Sequence, residues 1–142
     1  RAAGIPVAIG TDGASSNNTL DMWAEMGLAA LIHKGNTLDP LAVPAAEAFA
    51  MATRAGAQAM GLTDAGLLSV GARADMVLVD RAGPHWQPPH HPLSAVVYSG
   101  RAADVRLTMV DGRVLYRNGE YLTLDAERIL HDTRQVTERL FT

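Results

Sequence analysis

Asp12 is the residue best placed to do chemistry in this chain: a lone carboxylate directly after the apolar run Pro6-Val7-Ala8-Ile9-Gly10-Thr11. The run is bounded by Gly4 and Gly13 and predicts a strand over residues 5–11, buried on both faces as in a parallel sheet. Ligands in α/β folds gather beyond the carboxyl ends of such strands, which is where Asp12 stands. An aspartate in that position also caps helices and forms turns, so position alone leaves both roles open.

The other residues with metal-binding or catalytic chemistry have simpler explanations. His90 and His91 form a histidine pair, but adjacent side chains in an extended segment point to opposite sides and do not converge on one ion. His33 sits near a helix end, His85 in a proline-rich loop and His131 on the terminal helix, all as structural or surface residues. Ser15, Ser16, Asn17 and Asn18 follow Asp12. They are residue types that satisfy loop backbone, and they read as scaffold. Asp21, Glu25 and Glu47 read as helix-surface charges, and Trp23 and Met26 as packing residues. Gly10-Thr11-Asp12-Gly13 lacks the glycine spacing of a phosphate-binding loop.

Three blocks carry a family resemblance. Gly10-Thr11-Asp12-Gly13-Ala14-Ser15-Ser16-Asn17-Asn18 with Leu20-Asp21-Met22 resembles the last barrel strand of amidohydrolase-superfamily deaminases, most of all the 5-methylthioadenosine/S-adenosylhomocysteine deaminases. Ala52-Thr53-Arg54-Ala55-Gly56-Ala57-Gln58-Ala59-Met60-Gly61-Leu62, then Gly66, Leu68, Val70-Gly71 and Ala74 to Asp80, is similar to the segment by which these enzymes leave the barrel and re-enter a small β domain. Val105 to Tyr116 is similar to that domain's closing hairpin. The resemblance covers nearly the whole chain. The family's loop often reads His-Asp where this chain has His90-His91.

What the resemblance implies for Asp12 is threefold: metal ligand, catalytic proton carrier and the substrate-contacting residue of this chain. A divalent ion makes hydroxide available at neutral pH by lowering the pKa of its water to about 7. A carboxylate beside it can take up that proton and pass it to a leaving amine, a form of general acid–base catalysis. The family's histidine ligands and its glutamate belong to earlier strands, which this chain does not contain. The implied cofactor is one divalent metal ion, zinc first, with iron or manganese also suited to histidine and carboxylate donors. The implied reaction is hydrolytic deamination of a purine-like ring, with an adenosine-type nucleoside as small-molecule substrate.

The elements that would hold Asp12 follow from periodicity. Leu20, Ala24, Gly27, Leu28 and Leu31 recur at helical spacing, predicting an amphipathic helix over Leu20 to Lys34 that Gly35 ends. Pro44 to Met60 predicts one or two alanine-rich helices, with Pro44 in the first turn and Gly61 as the stop. Asp75 to Asp80 predicts a strand, and Gly83 to Pro92, with four of the seven prolines, an extended, non-helical loop. Asp111-Gly112 between Val105–Val110 and Arg113–Tyr116 marks a type I′ hairpin. Asp125 reads as the N-cap of a last helix with Ile129, Val136 and Leu140 on its inner face.

The expected fold class is α/β: the C-terminal portion of a metal-dependent hydrolase (β/α)8 TIM barrel plus part of a small β-sandwich domain. Residues 1–62 would be the last strand and helices of the barrel, 63–117 part of the β-sandwich, and 118–142 a C-terminal helix, with the seam near residues 62 to 70. A complete barrel takes roughly 250 residues. A chain of 142 that opens on Arg1 is therefore expected to be one portion of a longer enzyme.

Composition excludes more than it assigns. A net charge of −3 gives no electrostatic reason to expect nucleic acid or an anionic membrane as partner. The absence of cysteine rules out disulfides and thiolate metal sites and fits a cytoplasmic enzyme. No apolar stretch approaches the roughly 20 residues that span a bilayer. Two alternatives stand beside the deaminase: an s-triazine chlorohydrolase or related amidohydrolase, and a non-catalytic binding or oligomerisation module that pairs through exposed edges. Self-association into a homo-oligomer is left open.

Overall fold

The computed structural model describes residues 3–141. Helices come first in the chain: α1 (Met22–Thr37), α2 (Ala45–Ala52) and α3 (Arg54–Ala59) precede β1 (Met76–Val79), and α4 (Pro92–Tyr98) precedes the strands β2 (Val105–Val110), β3 (Arg113–Arg117) and β4 (Glu120–Tyr121); α5 (Ala126–Phe141) is last. The architecture is thus α/β with a small antiparallel sheet of order β1-β2-β3-β4.

Small residues set the helical layer. Ala30 of α1 and Ala48 of α2 have no exposed surface, and with Met26, Val43, Ala45 and Val97 they form the core. Side chains of one carbon let the helix backbones approach closely, and Trp23, Phe49 and Ile9 close the edges of that contact. The indole of Trp23 lies against Gly100, where a Cβ would come within 2.6 Å of its Nε1.

Helix ends depart from the expected punctuation at one place and follow it at another. Gly35 lies inside α1, which runs on to Thr37 and stops at Leu38 in the left-handed region, φ 53°. Near that end the ammonium of Lys34 donates to the carbonyls of Ala30 at 3.0 Å, Ala42 at 2.6 Å and Val43 at 2.7 Å. These bonds tie two loop carbonyls to a carbonyl in the middle of α1. At the other site, Gly61 N–H donates to Gln58 O at 3.0 Å and Leu62 N–H to Ala57 O at 2.9 Å, the paired bonds of a Schellman end. Gly61 has φ 74°, so the glycine expected to stop the helix does so. Pro44 stands just before α2, as its N-cap.

The hairpin has the expected turn. Asp111 and Gly112 both have positive φ, 50° and 77°, as type I′ requires. β1 pairs with β2 in the register Met76↔Met109, Val77↔Thr108 and Leu78↔Leu107.

Three expectations are corrected. Residues 5–11 are extended but form no ladder with any described residue; their backbone is tied by a bond from Ile9 N–H to Met51 O at 3.2 Å. A strand is buried on two faces only when neighbours flank it, and here Ile5 is 66% exposed and Val7 45%. The proline segment is not wholly extended: Pro84 starts a 3₁₀ turn to Trp86, and Pro92 starts α4. Proline at the first helical position loses no needed N–H and brings a ready-made φ, so the same residues that break helices begin these. On α5 the cap is as expected, Asp125 accepting the Arg128 N–H at 2.9 Å. Its intended inner face is not: Ile129, Val136 and Leu140 are 49%, 52% and 70% exposed, because no other described element packs on them.

Candidate active site

Asp12 ends the extended segment with its side chain exposed and its backbone in the left-handed region, φ 58°. Few non-glycine residues sit there, and aspartate is among the more tolerant. The Gly13 N–H donates to Asp12 Oδ1 at 2.7 Å. That bond first, and the Ser16 hydroxyl second, hold the carboxyl below the ordinary aspartate value. Asp12 therefore presents an ionised oxygen donor to its surroundings at neutral pH.

The loop after Asp12 is built around the Gly13 carbonyl and the Asn17 side chain. The Gly13 carbonyl takes the N–H groups of Ser16 at 3.0 Å and Asn17 at 2.9 Å and the Ser16 hydroxyl at 3.0 Å. The Asn17 side-chain amide donates to Thr11 O at 3.0 Å and to Glu25 Oε1 at 2.7 Å, while its oxygen accepts the Thr19 N–H at 3.4 Å. Asp21 closes the loop as the N-cap of α1, accepting from Trp23 N–H at 2.9 Å and Ala24 N–H at 3.3 Å. Asp21 and Glu25 are thus more than surface charges: one starts the helix and the other fastens the loop to it.

The histidines lie elsewhere. His91 caps α4, its Nδ1 accepting the Ser94 N–H at 3.4 Å, and His90 is exposed. His85 meets Asp104 at 2.9 Å beside the buried Trp86. Among the described residues no three His, Cys, Asp or Glu side chains gather as a metal-holding group. Asp12 fits a divalent ion as one hard oxygen donor, whereas a catalytic zinc site takes about three protein ligands. An apolar cleft of about 840 Å³ between α3 and the sheet shares Ile9 with the Asp12 segment and has Asp75 as its charged lining residue. It does not include Asp12, and its lining offers packing surface more than polar recognition.

Asn17 and Glu25 are the residues whose part in this arrangement periodicity did not reveal. Glu25 falls on a helix turn where a charge needs no explanation, and only the folding of the loop onto α1 brings it to Asn17.

Asp12 is thus an exposed carboxylate at positive φ between residues 5–11 and α1, on an α/β scaffold with a small antiparallel sheet. Residues 1–115 match the model of the Amidohydrolase family, and the chain belongs to that family. It is 51% identical over 140 residues to the 5-methylthioadenosine/S-adenosylhomocysteine deaminase of Moorella thermoacetica, an alignment covering 98% of this chain and 32% of that enzyme. Among solved structures it superposes with a TM-score of 0.93 on an adenosine deaminase from Xanthomonas campestris with bound zinc, at 36% identity over 97% of this chain and 32% of the other. It is also similar, with a TM-score of 0.84 and 33% identity, to the zinc complex of the atrazine chlorohydrolase TrzN from Arthrobacter aurescens TC1, over 94% of this chain and 30% of that one. The chain spans about a third of the length of the relatives it matches.

Proposed function

We propose that this chain is the C-terminal portion of a metal-dependent aminohydrolase that removes the exocyclic amino group of an adenosine-type nucleoside, 5-methylthioadenosine or S-adenosylhomocysteine being the first substrates to try. The observation that carries the reading is Asp12 itself, ionised, exposed and strained, within a sequence block half identical to a deaminase of that specificity. Residues 1–62 would complete a (β/α)8 barrel, 63–117 would form part of a small β-sandwich and 118–142 a C-terminal helix. The cysteine-free sequence suits a cytoplasmic enzyme.

A divalent ion, zinc by analogy with the zinc-bound neighbours, supplies Lewis acidity when bound. Asp12 would hold such an ion through one oxygen, and its carboxylate would accept the proton of the attacking water. The same carboxylate then holds the proton for the departing amine, so that ammonia leaves as a neutral molecule. The Gly13 N–H keeps the carboxylate oriented through both transfers.

Hydrolysis of an s-triazine is the second reading, supported by the likeness to the chlorohydrolase. Ammonia release from adenosine-type nucleosides, measured beside chloride release from atrazine on the full-length enzyme containing this chain, separates the two. Ammonia without chloride supports the deaminase; chloride without ammonia overturns it. In the same enzyme Asp12→Asn keeps the size of the side chain and removes its charge, and should lower turnover by ~10²-fold or more. Unchanged turnover at full metal loading would refute Asp12 as the proton carrier.

A further inference from the structure

We infer that Asn17, braced by Glu25, is the positioning residue that keeps Asp12 in its left-handed conformation and so sets the affinity of the metal site. The inference rests on Asp12 being the metal-site carboxylate.

Two peptide planes flank Asp12, and φ is the rotation between the incoming plane and the Cα. The oxygen of the incoming plane is Thr11 O, and it accepts the Asn17 amide at 3.0 Å. The outgoing plane carries the Gly13 N–H that holds the carboxylate at 2.7 Å. Backbone conformations outside the usual regions persist only where the surroundings over-determine them. Here the fixed points are these bonds together with the pair of N–H groups that Ser16 and Asn17 place on Gly13 O.

Asn17 fits the role because its amide is fully committed. Both Nδ2 protons are used, on Thr11 O and on Glu25 Oε1, and Oδ1 takes the Thr19 N–H. An asparagine that only capped its own loop would need no carboxylate eight residues away. Glu25 lies in the first turn of α1, whose other side packs into the core through Met26. The bond of 2.7 Å to Glu25 therefore ties the Asp12 loop to a helix anchored in the core.

The test uses the full-length zinc enzyme carrying Asn17→Ala, Glu25→Ala, Glu25→Gln and the double alanine variant, with zinc affinity read by competition against a chelator. Loss of a residue that orients a metal ligand typically costs about 10- to 100-fold in affinity. Asn17→Ala should weaken zinc binding by that factor and lower kcat at saturating zinc while KM changes little. Glu25→Ala should move both in the same direction by a smaller factor. The double variant should be no worse than Asn17→Ala, since the two residues act through one bond. Glu25→Gln keeps an acceptor oxygen toward Asn17 and should return zinc affinity toward the wild-type value.

A drop in thermal stability with zinc affinity and kcat unchanged would show that Asn17 is only loop scaffold, and additive losses would show that Glu25 does not work through it. If Asn17→Ala does not fold, Glu25→Ala and Glu25→Gln decide, with unchanged zinc affinity in both overturning the inference. Asp12→Asn separates the two levels. If it too leaves zinc binding and turnover intact, the assignment of Asp12 has failed. If it alone damages both, only the positioning role of Asn17 has failed.

Discussion

His85 Nε2 lies 2.9 Å from Asp104 Oδ2, although the two are 19 positions apart in the chain. The Trp86 indole N–H at 3.1 Å and the Arg101 N–H at 2.9 Å reach the same oxygen, so one carboxylate fastens the proline segment to the entry of β2. Burial pushes the Asp104 carboxyl up, but the hydrogen bond and charge of His85 with the Arg101 and Trp86 donors outweigh it, and its pKa lies below the ordinary aspartate value.

A depressed folded pKa fixes the sign of an acid effect. Asp104 contributes stability that is complete above the unfolded aspartate value of about 4 and is lost as pH falls through the lower folded value. Asp104→Asn should be less stable than wild type at neutral pH, and the gap should close in acid. Urea unfolding across that window checks it. A gap that stays constant into strong acid would show that ionisation of Asp104 contributes nothing.

Lys34 gives a prediction without titration. Its three carbonyl acceptors belong to α1 and to the loop that enters α2, and Val43, a β-branched residue at φ 42°, depends on that anchoring. Lys34→Met keeps the aliphatic stem and removes the donors. Leaving part-buried acceptors without partners costs about 1–3 kcal/mol in total stability. A denaturant midpoint within error of wild type would show that water replaces the ammonium at no cost.

What was legible in the sequence was local. Asp111-Gly112 needs only its own torsions to make the turn, and Gly61 only its freedom at positive φ to end α3. The features that misled depend on distant partners. Gly35 lies inside α1, which runs on to Thr37, and the apolar stripe of α5 is buried only where something packs on it. At the candidate site, type and position drew attention to Asp12 but left a cap or turn open as well, and it was the family resemblance that singled it out. Asn17 and Glu25 were not legible, since each is an ordinary loop or helix residue until the loop folds onto α1.

His90 and His91 are predicted to be structural in the parent enzyme. His91→Ala removes the acceptor for the Ser94 N–H and should cost about 0.5–2 kcal/mol, the range for a lost N-cap, while His90→Ala should cost less. Zinc stoichiometry should stay unchanged in both. Loss of about one ion per chain in either variant would identify a ligand there and move the metal site away from Asp12.

The 142-residue chain by itself should have no deaminase activity. Asp12 supplies one oxygen donor, and among the described residues no three His, Cys, Asp or Glu side chains gather to hold an ion. A single carboxylate in water competes poorly for zinc, and catalytic sites use about three protein ligands to fix the ion while leaving one position open. The purified chain should therefore release no ammonia from 5-methylthioadenosine at any zinc concentration that leaves it soluble, whereas the full-length enzyme should. Addition of the remaining polypeptide as a separate chain should restore turnover if the two portions reassociate, and Asp12→Asn in this portion should abolish the restoration. Chelator-sensitive turnover by the isolated chain would contradict the division of the metal site between this portion and the rest of the enzyme.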